Sequence, residues 1–288
     1  MHASTLSDVS ALADLVRTGR VVVLSGAGLS TESGIPDYRG RSGAAVRRQA
    51  PMTHQAFVGD AVARRRYWAR SHVGWNVMSR AVPNSGHLAV TQLERLGLVT
   101  GTITQNVDGL HTSAGTRRVV DLHGRLDRVV CLDCGATSTR ARLADRLAVA
   151  NSSWRGRASQ VNPDGDMEVA EEVLDDFVVL DCERCSGTLM PDVVYFGGTV
   201  PAHRVAQAFD LVDAASLLLV LGSSLTVFSG RRFVVHAARA GIPVAIINEG
   251  PTRGDTHAAL KVDAPLGHTL NELVGLVQRS ATGAEGLG

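Results

Sequence analysis

The residues best suited to chemistry lie in a glycine-rich stretch, 26–40. This stretch follows the apolar run 21–24, which has the length and composition of a buried parallel strand. Gly26 and Gly28 allow a tight turn and the close approach of a ligand, and Ser30 adds a hydroxyl where a helix can begin. A strand, a glycine turn and a helix start together form a phosphate cradle, because the helix N-terminus presents free N–H groups and partial positive charge.

The spacing of these glycines differs from the ordinary dinucleotide fingerprint. After Gly26 and Gly28 the next glycine is Gly34, six positions on, where the common motif has one three positions on. Asp37 and Arg39 follow closely. A carboxylate and a guanidinium beside the cradle favour a site that does more than hold a cofactor. The alternative is a glycine-rich loop that binds no ligand.

Two further polar clusters follow predicted strands. Gln105, Asn106 and Asp108 come directly after the strand candidate 98–104, and His123 ends a short strand candidate that begins at Val119. Open α/β sheets bind ligands at the carboxyl ends of their strands, so these side chains are candidates for one site. A lone histidine is usually structural. The glycine that follows His123 permits a ligand to approach, so both interpretations stay open.

The four cysteines of the chain form two C-x-x-C pairs, Cys131 with Cys134 and Cys182 with Cys185. In a chain expected to be intracellular, two such pairs predict a four-thiolate zinc site rather than two disulfides. Four thiolates fill the tetrahedral shell of the metal and leave no open position. The zinc is therefore expected to be structural and not to activate water.

Tyr67 and Arg70 lie three residues apart in the segment 41–82, which has a helical pattern. A phenol and a guanidinium on one helix face can bind a carboxylate. From the pair alone, a surface arginine beside a half-buried tyrosine is the favoured interpretation. The neighbouring basic run 64–66 is interpreted as a solvated helix face.

Composition limits the class of protein. The 288 residues suit one large domain with an insertion, or two domains, and an apolar share of 44% is ample for a core. The net charge of +1 gives no electrostatic case for nucleic-acid binding. The start of the chain lacks the pattern of a signal peptide. The apolar runs found along the whole chain are too short to span a bilayer. We therefore expect a soluble, cytoplasmic protein.

Strand candidates alternate with helix candidates at both ends of the chain, which predicts an α/β fold with a parallel sheet and two insertions. Two strand candidates in the second half end in small or polar residues at Gly222, Ser223 and Asn248. A polar loop is expected at 151–166, and a disordered tail after Ser280.

Together, the stretch 26–40, the segments 104–111 and 222–226, His123 with its glycine and the cysteine pairs resemble the sirtuins, a family of NAD-dependent protein lysine deacylases. The resemblance covers about residues 10–275, with the motifs in family order. The runs YWARSHVGW, CLDC, PDVVYFGGTV and NEGPTRGD resemble the class II branch of that family.

The resemblance implies a Rossmann-like, doubly wound parallel sheet with a smaller inserted domain. The NAD-binding domain is expected to comprise residues 1–40, 84–127 and 190–280. The small domain is expected to comprise a helical module, 41–83, and a zinc module, 128–189, with 281–288 as a disordered tail. NAD and an acyl-lysine peptide are expected to meet in the cleft between the two domains.

The resemblance also implies roles for individual residues. NAD binding is assigned to Gly26, Ala27, Gly28, Ser30, Ile35, Asp37, Tyr38, Arg39, Gln105, Asn106, Asp108, Gly222, Ser223, Ser224, Asn248 and Glu249. Catalysis is assigned to His123 and Asn106, and substrate binding to Tyr67, Arg70, Val193, Phe196 and Gly197. The Tyr67–Arg70 pair matches the acid-reading pair of sirtuins that remove succinyl groups. The peptide is expected to add as a strand between the segments 193–198 and 224–228.

The implied reaction suits these residue types. Nicotinamide leaves a cationic sugar, and the acyl oxygen of the substrate attacks the ribose carbon. Asp37 and Asn106 orient the carboxamide and a water. His123 acts as general base on a ribose hydroxyl, which then attacks the acyl carbon. The products are nicotinamide, free lysine and O-acyl-ADP-ribose.

Three positions depart from the usual sirtuin pattern. Tyr38 stands where many members have phenylalanine, and it keeps the ring. Gly198 stands where an acidic residue is usual, which affects how the substrate is fixed. The segment 228–230 stands where many members have a proline–alanine pair, which changes the edge of the cleft.

The leading prediction is a monomeric deacylase that acts on acylated lysines of proteins or peptides, with NAD as co-substrate and one structural zinc ion. Mono-ADP-ribosyl transfer to a protein is an alternative that uses the same glycosidic cleavage. A non-catalytic NAD-binding sensor is the alternative from another class. The near-neutral charge disfavours a nucleic-acid binder, and the displaced third glycine disfavours an ordinary dehydrogenase.

Overall fold

The computed structural model describes residues 2–38, 51–156, 158–161, 165 and 167–285. The helices are α1 (His2–Arg17), α2 (His54–Gly59), α3 (Ala61–Met78), α4 (Ser85–Arg95), α5 (Leu110–Ser113), α6 (Arg140–Ala150), α7 (Ala202–Asp213), α8 (Phe228–Arg239) and α9 (Leu266–Glu285). The strands are β1 (Val21–Ser25), β2 (Val99–Thr104), β3 (Val119–Asp121), β4 (Gly124–Cys131), β5 (Thr137–Thr139), β6 (Ala158–Val161), β7 (Met167–Val169), β8 (Leu189–Val193), β9 (Leu217–Leu221), β10 (Val244–Ile247) and β11 (Leu260–Val262).

A six-stranded parallel sheet in the order β11-β10-β9-β1-β2-β3 forms the centre of the larger domain. Strands β1, β9 and β10 are short apolar runs that are buried along their whole length, as expected for parallel strands covered on both faces. Strands β2 and β3 follow β1 on one side of the sheet, and β10 and β11 follow β9 on the other. The carboxyl ends of β1 and β9 therefore flank a switch point, where open α/β sheets bind ligands.

Helices cover both faces of this sheet. On one face α1, α4 and α9 pack around Leu12, Val90 and Leu270, and on the other α7 and α8 pack around Phe233. Helix α9 continues to Glu285, so residues 281–285 are helical where a disordered tail was expected. Its apolar positions Leu270, Leu273 and Val277 are buried, and this packing stabilises the part of α9 that precedes residues 281–285.

The smaller domain contains a three-stranded antiparallel sheet in the order β5-β4-β8. Helices α2, α3 and α6 pack against it around Phe57, Trp68 and Leu147, which are almost fully buried. The region 151–166, expected to be a polar loop, contributes strand β6, which pairs antiparallel with β7. Polar side chains gave no signal for this pairing, because the backbone makes the hydrogen bonds of the ladder.

Among the described residues, no helix is both long enough and apolar enough to cross a membrane.

Candidate active site

A cavity of about 810 Å³ opens at the switch point of the parallel sheet. Its volume lies in the upper part of the range that small-molecule sites occupy. The predicted NAD-binding residues and His123 all line it, apart from Arg39, which lies outside the described residues. Of the predicted substrate residues, Phe196 and Gly197 line the wall. Val193 ends β8 directly before the lining residue Val194.

The glycine cradle is built from two loops that touch at the ends of β1 and β9. A Cβ at Gly26 would lie 2.7 Å from the Cβ of Ser223, and one at Gly28 would lie 2.9 Å from the Gly222 carbonyl oxygen. Gly222 itself has a φ of +59°. Because neither loop has room for a side chain at these positions, the glycines allow the two strand ends to form one floor. A 3₁₀ helix, Ala27–Ser33, follows the turn where a helix start was expected.

A polar network joins the cradle to the end of β2. The Asn106 side-chain amide donates to the Gly26 carbonyl and to the Ser30 hydroxyl, each at 3.0 Å, which fixes its orientation. Ser30 donates to Asp108 at 2.7 Å, and the Leu110 backbone N–H donates to the same carboxylate at 2.8 Å. Burial raises the pKa of Asp108, while these two hydrogen bonds and Arg125 favour its ionised form.

Gln105 connects the two halves of the sheet across the switch point. Its Nε2 donates to the Ser223 hydroxyl at 2.8 Å, and Ser223 accepts in turn from the Leu225 backbone N–H at 3.3 Å. At the far end of the cavity, the Asn248 side chain donates to the carbonyls of Glu249 and Gly250. Gln105 thus links the loops after β2 and β9, and Asn248 orders the loop after β10 from within.

His123 lies in the connection between β3 and β4, where the chain passes from the larger sheet to the smaller one. Its Nδ1 donates to the Gln105 carbonyl oxygen at 2.9 Å, and its Nε2 lies 2.8 Å from the Ser229 hydroxyl. Burial lowers the pKa of His123 more than the Gln105 hydrogen bond raises it, and the cations Arg232 and Arg204 lower it further. The imidazole is therefore neutral near pH 7, with Nε2 as its basic atom.

The glycine after His123 is required by the backbone. Gly124 has a φ of +84°, and a Cβ there would overlap the carbonyl oxygen of Asp192 on the neighbouring strand. The Val194 backbone N–H donates to the His123 carbonyl at 2.8 Å. This close approach of β4 to β8 sets the position of the histidine, so the His-Gly pair in the sequence reflects strand packing as well as ligand access.

The four cysteines come together as the spacing predicted. Their Sγ atoms all lie within 4.8 Å of one another, with Cys131 at 3.5 Å from Cys185 and Cys134 at 3.9 Å from Cys182. None of the four forms a disulfide. Four sulfurs at about 2.3 Å from one zinc ion lie about 3.8 Å apart in a tetrahedron, so this cluster fits zinc.

Comparisons with known proteins agree with this geometry. The model of the Sir2 family matches residues 26–229. This chain belongs to the Sir2 family. The NAD-dependent protein deacetylase 1 of Streptomyces coelicolor is 56% identical over 264 residues, which cover 92% of this chain and 88% of the relative. The human NAD-dependent protein lipoamidase sirtuin-4 is 47% identical over 253 residues, covering 87% and 81%.

Solved structures show the same fold. A Sir2 enzyme solved with a p53 peptide and NAD+ aligns with a TM-score of 0.72 at 29% identity, covering 92% of this chain and 96% of that one. The sirtuin fold and the four-cysteine cluster predicted from the sequence are therefore confirmed.

Two residues of the predicted sirtuin site lie away from the cavity. Among the described residues, the wall includes Tyr195 but neither Tyr67 nor Arg70. Both are buried in the small domain, where the Tyr67 ring packs edge-on against Tyr195 with their centroids 5.4 Å apart. Tyr67 thus lies one aromatic ring behind the wall.

The departures from the usual sirtuin pattern have visible structural consequences. Tyr38 packs edge-on against Phe196 on the cavity wall, with the ring centroids 6.0 Å apart. The aromatic ring expected at this position therefore makes a packing contact. A Cβ at Gly198 would lie 3.0 Å from the Tyr195 carbonyl oxygen, so a larger residue requires this turn to shift. Phe228, in the altered segment, is 60% exposed at the cavity rim.

Sequence reasoning missed Ser229 and Arg232 as residues of the site. Both line the cavity from the start of α8, and both act on His123. The sequence marked the segment 228–230 only as a departure from the family, without a role. Its position directly after the turn at Gly222 was the signal available, because helices that follow switch-point turns direct their first residues at the ligand.

Proposed function

We propose that this sirtuin removes acyl groups from protein lysines and transfers them to the ADP-ribose part of NAD, releasing nicotinamide and O-acyl-ADP-ribose. The chain is an NAD-dependent protein deacylase. The observation that carries the proposed chemistry is the position of His123, whose basic Nε2 reaches a cavity that also contains the glycine cradle. A neutral imidazole held by a second hydrogen bond is suited to general-base catalysis near pH 7.

We base the proposed residue roles on the network around the cradle. NAD supplies a glycosidic bond that breaks to give an electrophilic ribose carbon. We assign the carboxamide pocket to Ile35, Asp37, Asn106 and Asp108, because the Asn106 amide is fixed by two hydrogen bonds and is aligned before substrate binds. Gln105 then faces the ribose. Ser223, Ser224, Asn248 and Glu249 line the part of the cavity assigned to the adenosine half.

The peptide is assigned to the open side of the cavity. The segments 194–200 and 224–229 both line it, and β8 ends at Val193 where the first begins. An extended peptide can add here as a strand, because main-chain groups at such an edge accept a further ladder. Phe196 and Gly197 would then contact the substrate next to the acyl-lysine.

For the acyl group we propose a chain that ends in a carboxylate, recognised with the help of Tyr67 and Arg70. The support is buried positive charge in the small domain, where Arg70 is 6% exposed and Arg140, which interacts with Tyr67 and Tyr195, is 1% exposed. Burial lowers the pKa of Arg140 to about 10, so the guanidinium remains charged near pH 7. If the proposal holds, Arg70→Met lowers kcat/KM for a succinyl peptide and spares an acetyl peptide. Arg142→Met, at an exposed position of α6, serves as the matched control.

One experiment tests the function directly. Purified protein is incubated with NAD and a panel of acetyl, succinyl, glutaryl, long-chain and lipoyl lysine peptides, and the products are read by mass spectrometry. Nicotinamide with O-acyl-ADP-ribose, abolished in His123→Ala, is the expected result. Nicotinamide without deacylated peptide would replace this proposal with ADP-ribosyl transfer or NAD hydrolysis. No nicotinamide from a zinc-loaded chain that binds NAD would favour the sensor.

We also propose a cytoplasmic monomer that does not bind nucleic acid. The near-neutral charge of the chain supports the last part, the absence of nucleic-acid binding. Light scattering after size-exclusion chromatography should give a mass near 30.4 kDa, and a dimer mass would contradict the monomer. DNA binding that weakens steeply with salt would contradict the last part of the proposal, and cell fractionation tests the location.

A further inference from the structure

The basic nitrogen of His123 is already in contact with a hydroxyl of the protein. Ser229, in the first turn of α8, places its Oγ 2.8 Å from His123 Nε2. Both side chains line the cavity, and Ser229 is only partly buried, so its hydroxyl is accessible from the ligand side.

The hydrogen bonds of the ring determine which way this contact runs. The Gln105 carbonyl oxygen can only accept, so His123 Nδ1 carries the proton at that 2.9 Å contact. The neutral ring then has one lone pair, on Nε2, and the Ser229 hydroxyl donates to it. A substrate hydroxyl cannot donate to the same lone pair with good geometry while Ser229 occupies it.

The backbone holds Ser229 at this place. The next residue, Gly230, has no space for a side chain, because a Cβ there would overlap the Gln105 side-chain amide. The backbone N–H groups of Gly230 and Arg231 both donate to the Val227 carbonyl, which closes the first turn of the helix. The start of α8 is thus packed directly against the residue whose carbonyl orients His123.

The charges around the ring favour its neutral form. The charged groups that act on His123 are Arg232 of α8 and Arg204 of α7, and both are cations. Together with burial they keep Nε2 unprotonated before the reaction, so its lone pair is available to accept a hydrogen bond. The hydroxyl suits this change of state, because it can donate to neutral Nε2 before the transfer and accept from Nε2–H after it.

We propose that Ser229 relays the proton from the ribose hydroxyl to His123 during acyl transfer, an inference that rests on the function proposed above. The ribose O–H bond breaks and its proton passes to Ser229 Oγ, while the Ser229 proton passes to Nε2. The electron pair left on the ribose oxygen forms the new bond to the acyl carbon, while the double bond between that carbon and the lysine nitrogen opens and its electron pair moves to the nitrogen. His123 becomes imidazolium and Ser229 leaves the step as a neutral hydroxyl. The proline–alanine pair that many sirtuins have in this segment offers no hydroxyl for such a step.

The test compares Ser229→Ala with Ser229→Thr, which keeps the hydroxyl. Exchange of labelled nicotinamide into NAD reports glycosidic cleavage, which needs no base, and O-acyl-ADP-ribose formation reports the step after it. In Ser229→Ala we expect acyl transfer to fall by about 10²-fold with exchange retained. Ser229→Thr should recover most of the activity. Unchanged affinity for NAD and an unchanged melting temperature show that the alanine variant is folded.

A solvent isotope measurement separates a relay from simple positioning. Two protons move in the relay. A plot of the wild-type rate of acyl transfer against the deuterium fraction of H₂O–D₂O mixtures should therefore be curved. In Ser229→Ala the dependence should become linear.

Three results would overturn the relay. Acyl transfer that is unchanged or faster in Ser229→Ala would mean that the hydroxyl only blocks Nε2. Equal losses of exchange and acyl transfer would mean that Ser229 merely supports the fold. If the wild type forms no O-acyl-ADP-ribose, the proposed function is refuted together with the relay. If the wild type and the alanine variant are equally active, only the relay is refuted.

Discussion

Acid should destabilise this protein through two buried histidines beside the cradle. The rings of His87 and His111 pack edge-on with centroids 5.1 Å apart, and their side chains are 0% and 2% exposed. Burial lowers the pKa of His87 to about 4, against a smaller opposing effect of Glu32. Burial and the neighbouring His87 lower the pKa of His111 to about 3.

The hydrogen bonds explain why neither ring can accept a second proton without loss. Ser25 donates to Thr104, so it accepts from His111 Nε2–H at 2.9 Å and leaves His111 Nδ1 as the bare nitrogen. Within the described part of the chain, His111 Nδ1 and His87 Nε2 are buried and have no hydrogen-bond partner. A proton added to Nδ1 would place an unpaired charge in the core.

The direction and size of this loss of stability follow from the linkage between proton binding and unfolding. In the unfolded chain a histidine has a pKa near 6.5, so below that pH the unfolded state binds protons that the folded state refuses. Stability is complete above pH 6.5 and falls as the pH drops toward the folded pKa values. At pH 5.5, about one unit below the unfolded pKa, each histidine lowers the free energy of unfolding by about 1.4 kcal/mol.

The assay is urea unfolding of the wild type and His111→Gln at pH 7.5 and pH 5.5. The variant removes one titrating group, so the difference in unfolding free energy between the two proteins should shift by about 1.4 kcal/mol in favour of the variant at the lower pH. His203→Gln, at an exposed position of α7, is the matched control. A difference between wild type and His111→Gln that does not change with pH would refute the reasoning.

Three further predictions concern the zinc cluster, the His-Gly pair and the cradle. Chelation, or Cys134→Ser, should release one zinc ion per chain and unfold the small domain; zinc loss measured with no change in melting contradicts this. Gly124→Ala should lower the unfolding free energy by more than about 3 kcal/mol, against about 1–2 kcal/mol for Gly19→Ala, which has positive φ but open space. Equal costs in urea unfolding would show that the Asp192 contact does not matter. Ser30→Ala should weaken NAD binding in calorimetry by about 5-fold, because Asn106 and Asp108 both lose a partner, and an unchanged Kd contradicts that role.

Local patterns predicted most of the elements that build the site. Apolar runs of four or five residues gave β1, β9 and β10, since parallel strands are buried on both faces. Glycines and C-x-x-C pairs predicted the cradle and the metal cluster because their chemistry depends on spacing within a few residues.

Contacts between residues far apart in the sequence could not be predicted from local patterns. Ser229 meets His123 across 106 residues, and Ser30 meets Asp108 across 78, so neither hydrogen bond leaves a local trace. The burial of Tyr67 and Arg70 was also missed. Helix α3 is packed against α6, β6 and β7, and Tyr67 and Arg70 lie among its buried residues.

The connection that holds His123 belongs to both sheets at once. One hydrogen bond of this residue goes to Gln105 at the end of β2, and another comes from Val194 just beyond β8. Strand β4, which begins at the next residue, ends at Cys131 in the four-cysteine cluster. Loss of zinc from this cluster should therefore disturb the position of His123 together with the small domain, although none of the four cysteines lies on a strand of the parallel sheet. Metal supply and acyl turnover would then be coupled through a single eight-residue strand.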